Sequence, residues 1–266
     1  MAVVASEKSG MDAVERLQGD FRSAMQGAST ALVAADRLCH ACVDLLEVDG
    51  AAVSLMRGGD STYGTFGSSG DLSRRLDELQ FTFGEGPCLD SVRQAEPVLV
   101  ADLDDPAEVR WPAFREAVLE EGVRAVFALP VALTSAPVGA LDLYSEQRGP
   151  LAGDRLAGGL LAARLAAGTL NALLSADVDW AAAGEGEKQE DWSQLASLER
   201  VAVYQATGMI VGAYDVGPDE ALVLLRAYAY ARGVTAREVA LAIVERRVPL
   251  DETWRRGPDD QEGGAS

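Results

Sequence analysis

The spacing of apolar and polar residues changes along the chain, and this change predicts a mixture of helices and strands. Apolar residues that recur every three or four positions indicate helices, and short apolar runs between turn residues indicate strands. By this criterion we predict helices over 11–26, 29–48, 71–79, 87–94, 111–121 and 153–175, and strands over 51–56, 62–66, 97–101, 125–133 and 138–144. Because neighbouring strands read as hairpins with helices around them, we predict an α+β domain built on an antiparallel sheet.

The last quarter of the chain has only the helical period and divides into three short segments. In the first segment Leu195, Leu198, Ala202, Ala206 and Met209 are spaced to share one helical face, which we expect to be buried. The inward residues predicted for the other two segments are Ala221, Leu224, Leu225, Tyr228, Val239, Ala240, Ile243 and Val244. A three-helix unit of this size buries little apolar area, so we expect it to pack against the rest of the chain or a second copy.

Residues with defined roles mark the ends of these segments. Pro218 suits the first position of a helix, where no backbone N–H is needed, and two acids follow it near the positive end of the helix dipole. Gly233 suits the left-handed residue that follows a helix. Thr235 and Glu238 have capping-box spacing, in which each side chain accepts a hydrogen bond from the other residue's backbone.

Composition divides the chain into five parts. We predict an N-terminal helical extension over 1–28, the α+β domain over 29–175, an acidic linker over 176–191, the three-helix domain over 192–250 and a disordered tail over 251–266. The linker prediction follows from its small and acidic residues, among them Gly184-Glu185-Gly186-Glu187.

Charge is unevenly distributed between these parts. The chain has a net charge of −19, which excludes a protein that coats nucleic acid through its phosphates. From Leu195 onward there are eight Arg and no Lys against eleven Asp and Glu, so this part is nearly neutral. Tyr228 and Tyr230 interleave with Arg226, Arg232, Arg237, Arg246 and Arg247. Guanidinium and aromatic groups in such a mixture are suited to contact unpaired RNA bases. The alternative is that these arginines only form an ordinary solvent-exposed surface.

The sequence predicts neither secretion nor membrane insertion. The first ten residues lack a basic start followed by an apolar run. The most apolar predicted helix contains Asp154, Arg155 and Arg164, which are costly inside a bilayer. Three cysteines are too few, and odd in number, for a disulfide framework. We therefore expect a cytoplasmic protein with reduced thiols and no membrane contact.

Residue types that carry catalysis are sparse. The order of Cys39-His40-Ala41-Cys42 differs from a haem motif, and no second histidine exists to complete a zinc site. Because His40 is the only histidine, a Ser-His-Asp triad is not predicted either, and the glycine runs lack the Lys-Ser/Thr ending of a phosphate-binding loop. We predict no catalytic residue, no metal and no cofactor.

Cys88 is the candidate for a redox role. It follows Gly84-Glu85-Gly86-Pro87 near a predicted helix start, where exposure to the helix dipole would lower the pKa of the thiol. The alternative is that Cys88 is a buried core residue.

Four motifs in the α+β part resemble GAF domains. They are Gly84-Glu85-Gly86-Pro87-Cys88, Arg110-Trp111-Pro112, Ala128-Leu129-Pro130-Val131 and Val138-Gly139-Ala140-Leu141-Asp142-Leu143-Tyr144. The first and last resemble the GAF domains that actinobacteria join to ANTAR domains. The resemblance implies a sensor, and we expect a pocket for a small planar or apolar ligand over the sheet, lined by Tyr63, Phe66, Phe81, Phe83 and Phe127.

The C-terminal segments resemble the ANTAR domain of antitermination regulators. The similarity lies in Leu198-Glu199-Arg200, Gln205-Ala206-Thr207-Gly208-Met209-Ile210-Val211, Pro218-Asp219-Glu220-Ala221-Leu222, Leu225-Arg226, Glu238-Val239-Ala240 and Ile243-Val244. The resemblance implies binding to RNA stem-loops in nascent mRNA, for which the candidates are Gln205, Thr207, Arg226, Tyr230, Arg232 and Arg237. The chain departs from the family at Thr207, where many members have Lys, and at Val211, where many have Met.

These observations predict a non-enzymatic transcription regulator in which a GAF sensor controls an RNA-binding ANTAR domain. We expect a homodimer, because the apolar residues of the first C-terminal segment extend further along the chain than a three-helix bundle needs for its core. One alternative is a ligand- or redox-sensing protein whose helical unit contacts another protein or dimerises. The other is an enzyme with kinase-like or peroxidatic activity in the GAF half.

Overall fold

Four stretches of the chain, residues 2–57, 61–133, 136–176 and 200–251, are described by the computed structural model. They divide into two compact units. The second unit consists of Phe81–Gly84 together with 200–251, and the first unit of the other described residues. Leu195, Leu198 and almost all of the predicted linker and tail lie outside the described residues.

The order of elements follows the predicted mixture. In the first part of the chain the helices are α1 (Ala2–Met25), α2 (Ala31–Leu46), α3 (Asp71–Phe83), α4 (Pro87–Gln94), α5 (Pro112–Glu120) and α6 (Gly153–Ala176). The strands are β1 (Gly50–Arg57), β2 (Ser61–Ser68), β3 (Val98–Val100), β4 (Ala125–Ala132) and β5 (Pro137–Ser145). The C-terminal helices are α7 (Val201–Tyr214), α8 (Pro218–Tyr230) and α9 (Ala236–Val244).

Five strands form one sheet in the order β2-β1-β5-β4-β3. Each neighbouring pair is antiparallel. At the centre of the sheet Leu141 of β5 lies opposite Val53 of β1 and Leu129 of β4. The predicted α+β class with an antiparallel sheet and flanking helices is confirmed.

Alternate residues of β5 face opposite sides of the sheet and meet different surroundings. Leu141 belongs to the main hydrophobic core, which also contains buried residues of α2 and α6. Ala140 packs on the other side, in a small cluster with Cys88 of α4. Asp142 has the same parity as Ala140, so the strand carries a carboxyl group onto the α3–α4 side of the sheet.

Local sequence explains where the helices of this unit begin and end. Thr30 caps α2, because its Oγ1 accepts a hydrogen bond from the backbone N–H of Val33 at 3.2 Å. Pro87 occupies the first turn of α4, where its missing N–H costs nothing. α3 continues to Phe83, beyond its predicted end at 79, and Gly84 then ends it with a left-handed φ of 68°.

Helices α7, α8 and α9 share one hydrophobic core. Its buried residues on these helices are Val203, Ala206, Ile210, Ala221, Leu225, Ala229, Ala236, Val239, Ala240 and Ile243. The predicted inward face of the first segment was wrong at Met209, which is 38% exposed. The buried face of α7 runs through Val203, Ala206 and Ile210, which rotates Met209 outward.

The predicted ends of α8 and α9 are confirmed. Pro218 lies in the first turn of α8, and Gly233 has the left-handed φ of 63°. Thr235 and Glu238 form the capping box of α9, in which Thr235 Oγ1 accepts from the Glu238 backbone N–H at 3.2 Å. The Thr235 backbone N–H donates to Glu238 Oε2 at 2.7 Å.

Candidate functional site

The six predicted RNA-binding residues differ in exposure. Gln205, Tyr230, Arg232 and Arg237 are exposed, whereas Thr207 and Arg226 are partly buried. The Thr207 hydroxyl donates a hydrogen bond to the Val203 carbonyl oxygen, four residues earlier, at 2.7 Å. Its donor capacity is therefore used inside α7.

Three of these residues surround the turn between α8 and α9. Tyr230 is the last residue of α8, Arg232 follows two residues later, and Arg237 lies in the first turn of α9. The Arg232 guanidinium lies 3.5 Å from the centroid of the Tyr228 ring, a cation–π contact that restrains the arginine. We call Tyr230, Arg232 and Arg237 the turn surface.

Arg226 points into the core of the second unit rather than into solvent. Its guanidinium lies 4.5 Å from the centroid of the Phe81 ring, and that of Arg200 lies 4.0 Å from the same centroid. Phe81 itself is only 4% exposed. Burial, followed by the charge of Arg200, lowers the pKa of Arg226 to about 10. Arg226 is thus a partly buried cation that remains protonated at neutral pH.

The segment Phe81–Gly84 also supports the turn surface directly. The Thr82 Oγ1 atom accepts a hydrogen bond from the Ala236 backbone N–H, at the first position of α9, at 2.9 Å. The Phe83 and Tyr230 rings meet edge to face, with centroids 5.7 Å apart and an interplanar angle of 85°. This segment is therefore part of the fold that positions Tyr230.

The five residues predicted to line a ligand pocket are not gathered around one site. Phe81 and Phe83 belong to the second unit. Phe66 and Phe127, each 2% exposed, are members of the main core of the first unit. The side chain of Tyr63 lies outside what the structure describes.

A buried polar cluster, which the sequence analysis did not single out, lies on the α3–α4 side of the sheet. Asp77 of α3 accepts hydrogen bonds from the hydroxyls of Ser54 and Thr65, the latter at 2.6 Å. Gln80 Nε2 donates to Asp142 Oδ2 at 3.1 Å, and Ser54 Oγ lies 3.4 Å from the same oxygen. Ser54 therefore connects two carboxyl groups, and we call Asp77 and Asp142 the acid pair.

Burial changes the protonation of Asp142. Desolvation, reinforced by the charge of Asp77, raises the pKa of Asp142 to about 7. Within the described residues neither Asp142 Oδ1 nor the buried hydroxyl of Tyr144 has a hydrogen-bond partner. A carboxyl group in the middle of the apolar run Ala140-Leu141-Asp142-Leu143 was the sequence signal for this cluster.

Cys88 is a core residue. It is 1% exposed, and its backbone N–H donates to Gln80 Oε1 at 2.8 Å. Burial, together with the charges of Asp142 and Asp77, raises the pKa of the Cys88 thiol well above its ordinary value. The exposure on which a lowered thiol pKa depended is not met, and the alternative of a buried cysteine applies.

Metal-ligating side chains are not clustered in the part of the chain that the structure describes, where no group of three or more His, Cys, Asp or Glu is placed to hold an ion. Cys39 and Cys42 are buried, and burial raises the pKa of both thiols. None of the described helices combines the length and apolar character needed to cross a membrane.

Family models identify both parts of the chain. The model of the GAF domain matches residues 30–170, just over half of the chain. The model of the ANTAR domain matches residues 194–244. No curated protein sequence matches this chain.

Several solved structures are similar to part of this chain. The GAF domain of a phosphoenolpyruvate-protein phosphotransferase from Coxiella burnetii is 16% identical, covers 62% of this chain and 96% of its own, and has a TM-score of 0.51. The GAF domain of the Acinetobacter phosphoenolpyruvate-protein phosphotransferase is 13% identical, covers 63% of this chain and 96% of its own, and has a TM-score of 0.47. Free methionine-R-sulfoxide reductase from Neisseria meningitidis is 16% identical, covers 60% of this chain and 89% of its own, and has a TM-score of 0.46.

At such identities the structural likeness concerns the fold alone, and the family models supply the assignment. GAF domains bind small ligands and ANTAR domains bind RNA, and both are regulatory domains. The chain belongs to the GAF domain family and carries an ANTAR domain, which makes it a sensing regulator of the ANTAR type.

Proposed function

We propose that this protein is a cytoplasmic antitermination regulator, which binds stem-loops in nascent mRNA through its ANTAR domain under the control of its GAF domain. The turn surface carries the proposal, because it exposes one aromatic ring and two arginines around a single turn. An aromatic ring stacks on an unpaired base, and guanidinium groups contact RNA phosphates and base edges. The first helix of the domain contributes Gln205, which is also exposed.

The charge of the chain favours recognition of a defined RNA over general binding. A net charge of −19 repels phosphates, so RNA can approach only where cations are exposed. Arg226 is stacked on Phe81 and partly buried, which leaves Arg232 and Arg237 as the exposed cations of the predicted set. Few phosphate contacts then combine with base stacking, as expected for loops rather than for long duplexes.

Titration of a labelled stem-loop RNA tests this proposal. Loss of one stacked base costs about 1–3 kcal/mol, so Tyr230→Ala should weaken binding about tenfold or more. Val223→Ala is the matched control, because Val223 is 62% exposed on the same helix but has neither ring nor charge. Equal affinities of the two variants would contradict the assignment of Tyr230.

The salt dependence of RNA affinity tests the roles of Arg232 and Arg237. Each phosphate contact with single-stranded RNA contributes about −0.7 to the slope of log affinity against log salt concentration. Arg232→Gln and Arg237→Gln should each make the slope shallower by about that amount. An unchanged slope in both variants would show that these arginines are only a solvated face.

We further propose that α3 carries the control. Residues 71–80 of this helix belong to the first unit, whereas Phe81–Gly84 belongs to the second. Asp77 of α3 accepts a hydrogen bond from Thr65 of β2, and the ring of Phe83 contacts the ring of Tyr230. A ligand or a proton that alters the position of α3 would then also alter the position of the Tyr230 ring, which we expect RNA to contact. Such a difference in contacts between two states is what coupling between the domains requires.

A second candidate function is a protein-contact module, and the outer face of α7 favours it. Val201, Tyr204 and Met209 are 41%, 48% and 38% exposed, and α7 contains no charged residue. Such a face suits a second copy of the chain, and a homodimer is compatible with both functions. A protein that retains no stem-loop RNA at low salt would favour this second function alone.

A further inference from the structure

A cavity of about 720 Å³ lies between the end of α1, the start of α2 and the second half of α6. Its size is within the range of small-molecule sites, roughly 300–1,000 Å³. Much of its lining is apolar and includes Met25, Ala34 and Leu165. We call this cavity the α1–α6 groove. It is separate from the acid pair, because α2 and α6 pack on the other side of the sheet from α4.

The charge of the groove is opposite to that of the chain. Arg22 and Arg164 line it, and no Asp or Glu does, although the chain has 42 acidic and 23 basic residues. Two other cavities of this unit have carboxylates in their lining. A cavity of about 360 Å³ includes Asp20 and Asp44. A cavity of about 300 Å³ includes Glu47 and Asp49. The groove is therefore a local positive site in an acidic protein.

Neither of the two arginines is used by the fold as far as the described residues show. Arg155, by contrast, donates to the Leu46 carbonyl oxygen at 2.6 Å, and Arg37 donates to that of Gln26 at 2.7 Å. Within the described residues Arg22 and Arg164 have no ion pair and no hydrogen bond. Guanidinium groups bind carboxylates and phosphates through paired N–H donors, so both can serve an anion.

Both threonine hydroxyls of the groove are already engaged. The Thr30 hydroxyl accepts from the Val33 backbone N–H at 3.2 Å. The Thr169 hydroxyl donates to the Leu165 carbonyl oxygen at 3.0 Å. Gln26 and Ser29, the other polar residues of the lining, are uncharged, so recognition of an anionic head group falls to the two arginines. Much of the remaining wall offers apolar contact.

From this combination we infer that the α1–α6 groove binds a small anionic amphiphile, namely a carboxylate that carries a short apolar tail. The carboxylate contacts Arg22 and Arg164, and the tail lies against Met25, Ala34 and Leu165. Charge favours this occupant, since only an anion gains contacts with the two exposed arginines, which an apolar ligand would leave in water. The inference goes beyond the proposed function, and it stands or falls independently of RNA binding.

Two probes with alkyl tails of nearly equal length and opposite charge test the inference on the full chain. Decanoate and decyltrimethylammonium are titrated below their micelle thresholds by calorimetry. Decanoate should bind, and decyltrimethylammonium should not. Each buried methylene strengthens binding about fourfold, so octanoate, which has two fewer, should bind about fifteenfold more weakly than decanoate. Equal binding of decanoate and decyltrimethylammonium, or binding of neither, would overturn the inference.

Variants locate the site. An added Cβ at Gly168 would meet no atom within 4 Å, so Gly168→Leu extends a side chain into the groove from a backbone position that has room for it. The loss of a helical glycine also favours the helix. Gly168→Leu should weaken decanoate binding about tenfold while the melting temperature is kept or raised. The double variant Arg22→Gln with Arg164→Gln should also weaken decanoate binding about tenfold. Arg16→Gln, which removes an exposed charge of α1 outside the groove, is its control.

Sedimentation of the same variants separates a ligand from a second copy. If the wild-type chain is a dimer and Gly168→Leu dissociates it, the groove is an interface between copies and the inference is wrong. Decanoate affinity that is unchanged in the double arginine variant would also overturn it. Decanoate binding that both groove variants lose and Arg16→Gln keeps, without a change in sedimentation, would establish the site.

Discussion

Burial acts on two ionisable residues of this protein with opposite outcomes. Desolvation raises the pKa of Asp142 to about 7, so the carboxyl is partly neutral at physiological pH. Desolvation lowers the pKa of Arg226 to about 10, which leaves the guanidinium charged. The difference arises because the ordinary pKa of Arg is far above neutrality, whereas that of Asp lies only about three pH units below it. The sensor unit therefore contains a group that titrates, and the ANTAR domain contains a fixed cation.

The protonation of Asp142 makes the stability of the first unit depend on pH. Its folded pKa of about 7 exceeds the ordinary value of 3.8, so the native state holds a proton that the unfolded chain releases between these values. This contribution is fully present below pH 3.8 and is lost as pH rises through 7. Its size is on the order of 4 kcal/mol. Asp142→Asn, which mimics the neutral form, should therefore gain stability relative to wild type at pH 8.

Urea unfolding of wild type and Asp142→Asn at pH 5 and pH 8 measures this effect. The difference in unfolding free energy should favour the variant at pH 8 and should shrink or vanish at pH 5. Leu99→Ala on β3 of the same sheet serves as a control without a titrating group, because Leu99 is an apolar residue that is 40% exposed. Its difference from wild type should not change with pH. A pH-independent difference for Asp142→Asn would mean that Asp142 is ionised throughout this range.

Phe83 offers a second prediction at a single residue. Its ring meets that of Tyr230 edge to face at 5.7 Å, in a contact geometry worth about 0.5–1.5 kcal/mol. If Tyr230 stacks on an RNA base, Phe83→Ala removes a competitor for the ring and should strengthen stem-loop binding about threefold to tenfold. Weaker binding by Phe83→Ala would contradict this competition and show instead that Phe83 holds Tyr230 in position for RNA or contacts RNA itself.

At the scale of elements, the sequence predicted a counterpart for every helix and strand that the structure describes. Helix α1 begins at Ala2 rather than at the predicted residue 11, and the end of α3 and the rotation of α7 differ because tertiary contacts decide them. The capping box of α9 was predictable because Thr235 and Glu238 act on each other within one turn. The continuation of α3 to Phe83 was not, because Phe81 is buried by residues more than a hundred positions away. Periodicity also left the rotation of α7 undecided, since apolar residues occur all around that helix and Met209 lies outward.

Contacts between residues that are distant in sequence also explain what could not be predicted at the RNA-binding and ligand-binding candidates. The exposed residues of the turn surface were predictable from their type and from the family resemblance. The engagement of Arg226 by Phe81 depends on a distant segment and carries no local signal. Aromatic type alone predicts pocket walls, but Phe66 and Phe127 alternate with residues that face the α3–α4 side and so point into the main core.

The first turn of α9 yields a prediction about helix capping. Two hydroxyls serve its backbone, since Thr235 accepts from the Glu238 N–H and Thr82 accepts from the Ala236 N–H. Thr235→Ala should cost about 1 kcal/mol, the usual value of an N-cap. Thr82→Val should cost about 1–3 kcal/mol, because it leaves a buried N–H without its partner.

Thermal unfolding of these two variants is compared with that of Thr207→Val. The Thr207 hydroxyl bonds only to a helical carbonyl, so its removal should change stability by less than about 0.5 kcal/mol. A neutral Thr82→Val would show that water or another group replaces the threonine at Ala236.

At the scale of the whole molecule, charge restricts where two copies can meet. Each chain carries a net charge of −19, so most approaches between copies are repulsive. Helix α7 is an exception, because it contains no charged residue and exposes Val201, Tyr204 and Met209. An added Cβ at Gly208 or Gly212 would meet no atom within 4 Å, so the backbone of this helix is also open to close approach. We therefore expect α7 to form the contact between copies.

Sedimentation at micromolar concentrations tests this contact. The wild-type chain should be a dimer, and higher salt should strengthen it, because salt screens the repulsion elsewhere while the apolar contact remains. Tyr204→Glu places a charge on the outer face of α7 and should shift the equilibrium to monomer. Val223→Glu, which adds the same charge at an exposed apolar position of α8, should leave the dimer intact. A monomeric wild type, or equal dissociation by both variants, would remove α7 as the interface and leave the RNA surface of each ANTAR domain to act alone.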